Sequence, residues 1–548
     1  MLEANLAAAD AADPALGALL RRAPPADGLR FLSSPAGLPV PARVLDGRPL
    51  PYHSTADPLR EGRRLAGLLP PGGYTVVLGL GGGYHLAPML ADPALSRLLV
   101  FEPDAGLARS VMEHIDLREV ILDPRTRILA GQPPQAAGQA VLADYLPAVH
   151  GGLRIVPLRT AFEERPGLFR EAASGVREAA ELAAADFAVQ GRLGRRWFLN
   201  TLANLKAAGS CTGALQPIER AVVSGAGPSL ERQVSRIAGL REKSFLIATD
   251  ASLPALRGFG LTPDLVVSID CQWASYHHFL QGLPPGVPLA LDLASPPLLG
   301  RLAPRALYFA GGHPLSRYVS ANWRALPELD TSGGNVAQAA VALAVSLGAR
   351  EVLLAGLDFG FPAGKAYCRG TFLYRAAGLV ETRLQPVESW FASFMLENRG
   401  SGQARYTSRP LSLYRARLEA FARSSPARLA VLPGAEIELD LREGPAGPGP
   451  QSALSAGGGY LWPGAPSSDW KTFLSAYASG LEALPDPSPP ASVYLQRLAP
   501  PQRALWMMLL PAAAALRESQ ARGEQQAHRL LALTRDWSLA GIRRRLGS

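Results

Sequence analysis

Cysteine is scarce in this chain: Cys211, Cys271 and Cys368 are the only three in 548 residues. Their number and wide spacing exclude a disulfide framework or a zinc knuckle, and they read as small buried apolar residues. Lysine is nearly as rare. Lys206, Lys243, Lys365 and Lys471 are the full set, so arginine carries almost all of the net charge of +9. A phosphate loop of the form G-x-x-x-x-G-K-[ST] needs a lysine at the start of its helix, and none stands after the glycine turns of this chain. Long apolar runs are missing too. The most prominent late one, "ALWMMLLPAAAAL", is too short to span a bilayer and contains Pro511. The N-terminus, "MLEANLAAADAADPALG", lacks the basic start of a signal peptide. A cytoplasmic protein with no membrane insertion is expected. Despite the basic balance there is no aromatic and basic stripe and no helix-turn-helix pattern, so no nucleic-acid partner is expected.

What the chain has in quantity is apolar surface. Hydrophobic residues make up 48% and charged residues 18%, a globular composition, and the length is too great for one core. Two or three domains are expected. Residues 1–60 are proline-rich and weakly patterned, suited to short strands or a cap. From Tyr74, "YTVVLGLGGGYHLAPML" and then "RLLVFEPD" predict strand, glycine turn, helix and second strand, with Glu102 closing that strand. Residues 1–165 thus read as a Rossmann-like N-terminal domain, and 166–208, with Ala, Leu and charges at helical spacing, as a helical connector. Over 209–441 strand and helix patterns alternate, which predicts a doubly wound α/β domain on a parallel sheet. Its strands are "RAVVS", "SFLIAT", "DLVVSI", "PLALDL", "ALYFAG" and "EVLLAG". The helix "NVAQAAVALAVSLGA" is apolar or small almost all round and should be deeply packed. Residues 442–469 have the composition of a Pro/Gly-rich linker, and 470–548 read as a helical C-terminal domain.

The densest signal is "AVVSGAGPSLERQ", residues 221–233. A strand turns into a helix through Gly225, Ala226, Gly227 and Pro228, which sets free backbone N–H groups and the positive end of a helix dipole at the turn. Two glycines let a ligand come close, and an anion there gains on the order of 1 kcal/mol from the dipole. The bland alternative is a tight turn and nothing more. Against it, Asp250, Asp270 and Asp358 all follow strands on the carboxyl side, where open α/β sheets bind ligands. "TSGGN", Thr331 to Asn335, opens the buried helix with hydroxyls and glycines. A lone Asp after a strand is usually a cap; three with two polar glycine turns favour a site. "GLGGG", Gly79 to Gly83, with Glu102 downstream, has the form of a dinucleotide or S-adenosylmethionine loop, although such turns also occur in domains that bind nothing.

In this order and spacing, "GAGPSLE", "TPDLVVSIDCQWASYHHF" and "TSGGNVAQAAVALAVSLGAREVLLAGLDF" resemble the motility-associated factor (Maf) glycosyltransferases, over about residues 220–360. The resemblance implies a sialyltransferase-like central domain between a Rossmann-like half and a helical C-terminal part. It implies transfer of a nonulosonic acid (pseudaminic or legionaminic type) from a CMP-activated donor to Ser or Thr of flagellin. By motif, Gly225, Gly227, Pro228 and Ser229 would line the nucleotide-sugar site, and Thr331, Ser332 and Gly333 would contact the donor. Asp250 falls where related sialyltransferases keep a donor-contacting Asn, and Asp270 and Asp358 match motif acids. No cofactor beyond the donor substrate is implied, and with no D-x-D motif a metal-independent direct displacement is the simpler expectation.

Attack by a hydroxyl is helped by a general base. Related sialyltransferases keep a histidine beyond "GLDF", but this chain has none between His313 and His528 and reads "AGKAYCRG" there. Tyr367 is a candidate for leaving-group or proton transfer. His278, His313, the three aspartates and the donor's own carboxylate stay open as the base. Flagellin is expected to dock its amphipathic helices against 470–548. Two rival functions keep the same motifs. One is a 6-hydroxymethylpterin diphosphokinase using ATP and Mg²⁺ with the three aspartates as ligands. The other is a non-catalytic nucleotide-sugar-binding flagellar accessory protein.

Overall fold

The computed structural model describes residues 1–45, 47–211, 213–331, 333–391, 407–435, 439–441, 460–462, 466–519 and 527–547. Most of the expected linker, 442–459 and 463–465, lies outside the described residues. The chain divides into two compact units, Met1–Arg195 with Gly480–Leu539, and Arg196–Ser479 with Ala540–Ser548.

In the first unit the weakly patterned start is two helices, Leu2–Ala12 and Pro14–Arg22, followed by an antiparallel meander. Asp13 caps the second helix by accepting from the Ala15 amide at 2.9 Å. The meander is β1 (Leu29–Ser33), β2 (Pro39–Leu45) and β3 (Arg48–Pro51). A parallel sheet follows, from β4 (Gly73–Leu78), β5 (Leu95–Glu102), β6 (Thr126–Ala130) and β7 (Leu153–Pro157), in the order β6-β5-β4-β7. Every residue of β5 is buried, the continuous run that a two-sided parallel sheet demands. Strand order reverses between β4 and β7, so the glycine turn after β4 lies at the switch point of this sheet.

The connector is one helix, Pro166–Ser210, and it contains the boundary between the units. The expected C-terminal helical domain is distributed instead. The helices Ala491–Arg497 and Pro500–Ser519 belong to the first unit, where Ser492 Oγ donates to the Ser96 carbonyl at 2.6 Å and Arg517 to the carbonyls of Pro147 and Ala148. Pro500–Ser519 buries Trp506 completely and passes so close to the connector that a Cβ on Gly194 would lie 1.8 Å from the Pro511 carbonyl. Apolar helix faces need cover, and these find it on the first sheet and the connector. No described helix is long and apolar enough to cross a membrane.

The second unit opens with β8 (Gly213–Leu215) and then carries the six expected strands: β9 (Arg220–Ser224), β10 (Phe245–Thr249), β11 (Leu265–Ser268), β12 (Leu289–Asp292), β13 (Ala306–Phe309) and β14 (Glu351–Ala355). A seventh, β15 (Arg428–Val431), was not legible in its short "RLAV". The order is β13-β12-β11-β10-β9-β14-β15, with every pair parallel. Within the stretch expected as linker, β16 (Tyr460–Trp462) pairs antiparallel with β8. The helix Val336–Ser346 is deeply packed as expected: every side chain from Ala337 to Val345 is buried. The chain again reverses at its first strand, between β9 and β14.

Candidate functional site

The turn after β9 and the turn after β14 meet at the switch point of the second sheet. Ser224 lies in register with Ala355 on one side and Ala248 on the other, so three strands end level. Gly225 donates to the Ala355 carbonyl and Gly227 to that of Gly356, both at 2.8 Å. A Cβ on Gly225 would lie 2.5 Å from the Gly356 oxygen, and one on Gly227 would lie 2.3 Å from Asp358 Oδ2. Both glycines are therefore required by the close approach of the two turns. Asp358, 3% exposed, accepts from the Ser229 amide at 2.9 Å, so an internal carboxylate already answers that helix N-terminus. The next residue, Phe359, has φ of 45°, and is the one non-glycine with positive φ among the described residues. Left-handed backbone at such a residue is strain held in place by its surroundings.

On the other side of β9, Asp250 ends β10. It is buried, and its carboxylate accepts from Ser268 Oγ at 2.6 Å and from the Ala251 amide at 2.7 Å. Burial pushes this carboxyl up, while the charge of His278 pulls it back down. Asp270 is partly buried and accepts from the Gln272 amide at 2.9 Å. The structure thus sets Asp250 within electrostatic reach of His278 and Asp270. It separates Asp358, which lies beyond β9 on the β14 turn. Among the described residues no three His, Cys, Asp or Glu side chains converge as a metal-ion site.

One acid was missed. Asp292, 6% exposed, ends β12; it accepts from the Ala294 amide at 2.7 Å and from that of Gly311, and burial pushes its carboxyl up to about 7. A Cβ on Gly311 would lie 1.9 Å from Asp292 Oδ2. Gly312 in turn donates to Thr331 Oγ1 at 2.8 Å, which fixes the turn opening the buried helix. There Asn335 caps the Gln338 amide at 3.0 Å, and a Cβ on Gly333 would lie 1.8 Å from Gln338 Oε1. Ser332 lies outside the described residues. The only sequence signal for Asp292 was its place in "PLALDL", identical in kind to that of Asp250.

Two asparagines of the connector were also missed. Asn200 donates to the carbonyls of Cys271 and Ala294, and Asn204 to those of Leu293 and Ser295, at 2.8–3.1 Å. They pin the loops after β11 and β12. Tyr367 packs beside Ala377, Val387 and Phe391, and burial pushes its phenol up. His313 contacts the Trp197 ring at 5.2 Å; both of its ring nitrogens are buried without a hydrogen-bond partner, and burial pushes it down to about 3. All three cysteines are buried and free.

The turn Gly79–Gly83 in the first unit is filled from within. A Cβ on Gly81 would meet Leu158 Cδ2 at 2.5 Å and His53 Nε2 at 2.9 Å, and one on Gly82 would meet the Tyr84 ring at 2.9 Å. Glu102, 3% exposed, accepts from the amides of Leu80 at 2.9 Å and Asp104 at 3.1 Å. Beside it Arg43 pairs with Asp104 and Glu164, and Tyr52 hydrogen-bonds Glu164.

A family model described as 6-hydroxymethylpterin diphosphokinase MptE-like matches residues 197–364, which carry β9 to β14. Three Treponema pallidum (strain Nichols) proteins, described as uncharacterized, are similar. One is 32% identical over 165 residues, 30% of this chain and 79% of that protein. A second is 34% identical over 114 residues, 20% of this chain and 40% of that protein. A third is 31% identical over 145 residues, 24% and 36% of the respective chains. Among solved structures, a Maf glycosyltransferase from Magnetospirillum magneticum AMB-1 superposes with a TM-score of 0.61 at 15% identity, over 100% of this chain and 95% of that one. With 79% of its length matched at 32% identity, the first Treponema pallidum protein shows the family to which this chain belongs, and the fold is that of the Maf glycosyltransferase.

Proposed function

We propose that this chain moves a nonulosonic acid of the pseudaminic or legionaminic type from a CMP-activated donor to Ser or Thr hydroxyls of flagellin, its partner in the cytoplasm, by metal-independent direct displacement. The observation that carries the reading is the fold shared along the whole chain with a Maf glycosyltransferase. The polar switch point of the second sheet supports it. A CMP-nonulosonate brings a phosphate and a carboxylate to be held. The turn Thr331–Gly333 stands before the N-terminus of the buried helix Val336–Ser346, whose dipole favours one of these anions. Ser332, within that turn, keeps its donor-contacting role as a proposal.

Gly225, Gly227, Pro228 and Ser229 would line the nucleotide. Since Asp358 holds the Ser229 amide, the nucleotide approaches this turn through its backbone edge, and Asp358 keeps the two turns together. Burial favours the protonated phenol of Tyr367, which suits it to donate to the departing phosphate and not to accept a proton. Asp250 would stand in for the donor-contacting Asn of related sialyltransferases, with Asp270 as a further motif acid.

Thermal stabilisation of the purified protein tests the reading. CMP should raise the melting temperature without added metal, and the unaltered protein should then label flagellin from the CMP-donor. The match of residues 197–364 to the MptE-like model favours one second reading, a pterin diphosphokinase. Stabilisation by ATP with Mg²⁺ and hydroxymethylpterin, with none by CMP, selects it. Binding of CMP with no turnover selects the accessory protein.

A further inference from the structure

A chain of hydrogen bonds crosses the carboxyl edge of the second sheet, starting in the loop after β12. Asn204 donates to the carbonyls of Leu293 and Ser295, and Asn200 to that of Ala294, so the connector helix holds this loop. The Ala294 amide in turn donates to Asp292 Oδ1 at 2.7 Å. Asp292 is thus anchored on its own loop. Its second partner belongs to the next strand, where it accepts from the amide of Gly311, two residues past the end of β13. The register allows this, because Asp292 lies level with Phe309, the last residue of β13.

Gly311 has to be bare. A Cβ there would lie 1.9 Å from Asp292 Oδ2 and 3.1 Å from Thr331 Oγ1, so carboxylate and hydroxyl crowd the same α-carbon. The next amide, that of Gly312, donates to Thr331 Oγ1 at 2.8 Å. The backbone before Thr331 is tied to the same strand end. Ala310 donates to the Pro327 carbonyl at 2.8 Å, and Leu329 donates to the Ala310 carbonyl at 3.0 Å. A threonine hydroxyl accepts through its oxygen and has one proton to give. Here the oxygen is taken by Gly312, so the orientation of the hydroxyl is set and its proton points to another acceptor. Thr331 is half-buried and Gly312 exposed, which leaves that hydroxyl within reach of a ligand at the edge.

We propose that Asp292 is the positioning residue for the donor: by holding the Gly311 amide it sets the Gly312 amide on Thr331 Oγ1, and so aims the Thr331 hydroxyl proton at an anionic oxygen of the nucleotide-sugar. This rests on the transferase reading above. Asp292 itself does not touch the donor. It acts through two adjacent peptide groups and one hydroxyl. A hydroxyl donating to an anion makes a charge-assisted hydrogen bond, and the dipole of the helix Val336–Ser346 favours negative charge at the same turn.

Calorimetry on the full chain tests this with three ligands. Cytidine has no anionic oxygen, CMP has its phosphate, and the CMP-activated donor adds a carboxylate. Thr331→Val should weaken anion-bearing ligands by about 10- to 100-fold, as expected for a lost hydrogen bond to a charged group, and Thr331→Ser should recover most of this. Asp292→Asn offers one acceptor oxygen to two amides and should weaken them by about 3- to 10-fold, with Asp292→Ser as the second variant. The pair Asp292→Asn with Thr331→Val should lose no more than Thr331→Val alone, because Asp292 acts only through Thr331. Loss already present with CMP assigns the phosphate oxygen, and loss confined to the full donor assigns the carboxylate. Cytidine should bind all of these variants alike, and Glu102→Gln, at the buried acid of the first unit, should bind all three ligands as the unaltered protein does. Losses that multiply in the pair, equal weakening of cytidine, or unaltered affinity in both Asp292→Asn and Asp292→Ser each overturn the role, while CMP binding by the unaltered protein leaves the transferase reading standing. Binding of none of the three by the unaltered protein overturns that reading and this role with it.

Discussion

Two glycine turns stand at two switch points in this chain, and they have different surroundings. After β4, Gly79–Gly83 is packed by Leu158, His53, Tyr52 and Tyr84, and Glu102 is spent on two backbone amides. After β9, Gly225 and Gly227 are packed by the partner turn Gly356–Asp358, while Asp250 and His278 stand at the neighbouring strand tip. Both sets of glycines are there for close approach of protein to protein. The motif therefore says only that the backbone must be bare. What distinguishes a ligand edge is the set of polar side chains left around it.

The comparison breaks most easily at its glycines. Gly227→Val should destabilise the second unit by about 3 kcal/mol, since its side chain meets Asp358 and the Gly356 carbonyl, and CMP stabilisation should vanish. Gly81→Val should destabilise the first unit comparably, with φ of 50° and Leu158 in the way, but leave CMP affinity intact. Melting curves with and without CMP check both, and loss of CMP binding in Gly81→Val would equate the two turns.

The buried acids provide the next contrast. Burial pushes both Glu102 and Asp292 up to about 7, from ordinary values of 4.5 and 3.8. Each holds its proton in the folded chain at pH values where the unfolded chain has lost it. Stability should therefore fall as pH rises from about 4 to 7 and level off above, by on the order of 3 kcal/mol per group. Denaturant titrations from pH 4 to 8 should show this slope reduced in Glu102→Gln and in Asp292→Asn. Only Asp292→Asn should also weaken CMP, because only Asp292 supports the Thr331 turn. Equal effects on CMP would blur the two edges.

Ligand shifts sharpen the contrast at smaller cost to the protein. CMP at 100 times its Kd should stabilise by about 2.7 kcal/mol, and S-adenosylmethionine or NAD should give no shift. A shift with S-adenosylmethionine would move the site to Gly79–Gly83. The smallest effect expected is that of Asn204→Ala. Freeing the Leu293 and Ser295 carbonyls should cost about 1–3 kcal/mol of stability, read by denaturant unfolding, with a few-fold loss of transfer rate, because the loop after β12 would loosen.

Much of the second sheet was legible because its signals are local. Six strands, the buried helix Val336–Ser346 and the aspartates after β10, β11 and β14 all follow from short apolar runs and the residues that end them. β15 was not, since four residues set no period. The helices at the start of the chain escaped because proline and alanine mask the apolar face that folds onto the first sheet. His278 was only one of several open candidates, and Asp292 was passed over as the last residue of a strand.

The sequence by itself determined the parallel sheets, the carboxyl edges and the kinds of residue that stand there, because strand period and turn chemistry act over a few neighbours. Tertiary structure alone decided which glycine turn is plugged by side chains and which faces a cluster of polar groups. It also set Asp250 within electrostatic reach of His278, placed Asp292 on the Gly311 amide, and aimed Asn200 and Asn204 at the loops. The hydrogen-bonded pairs among these lie some 20 to 90 residues apart, and only the packing of whole elements brings them together.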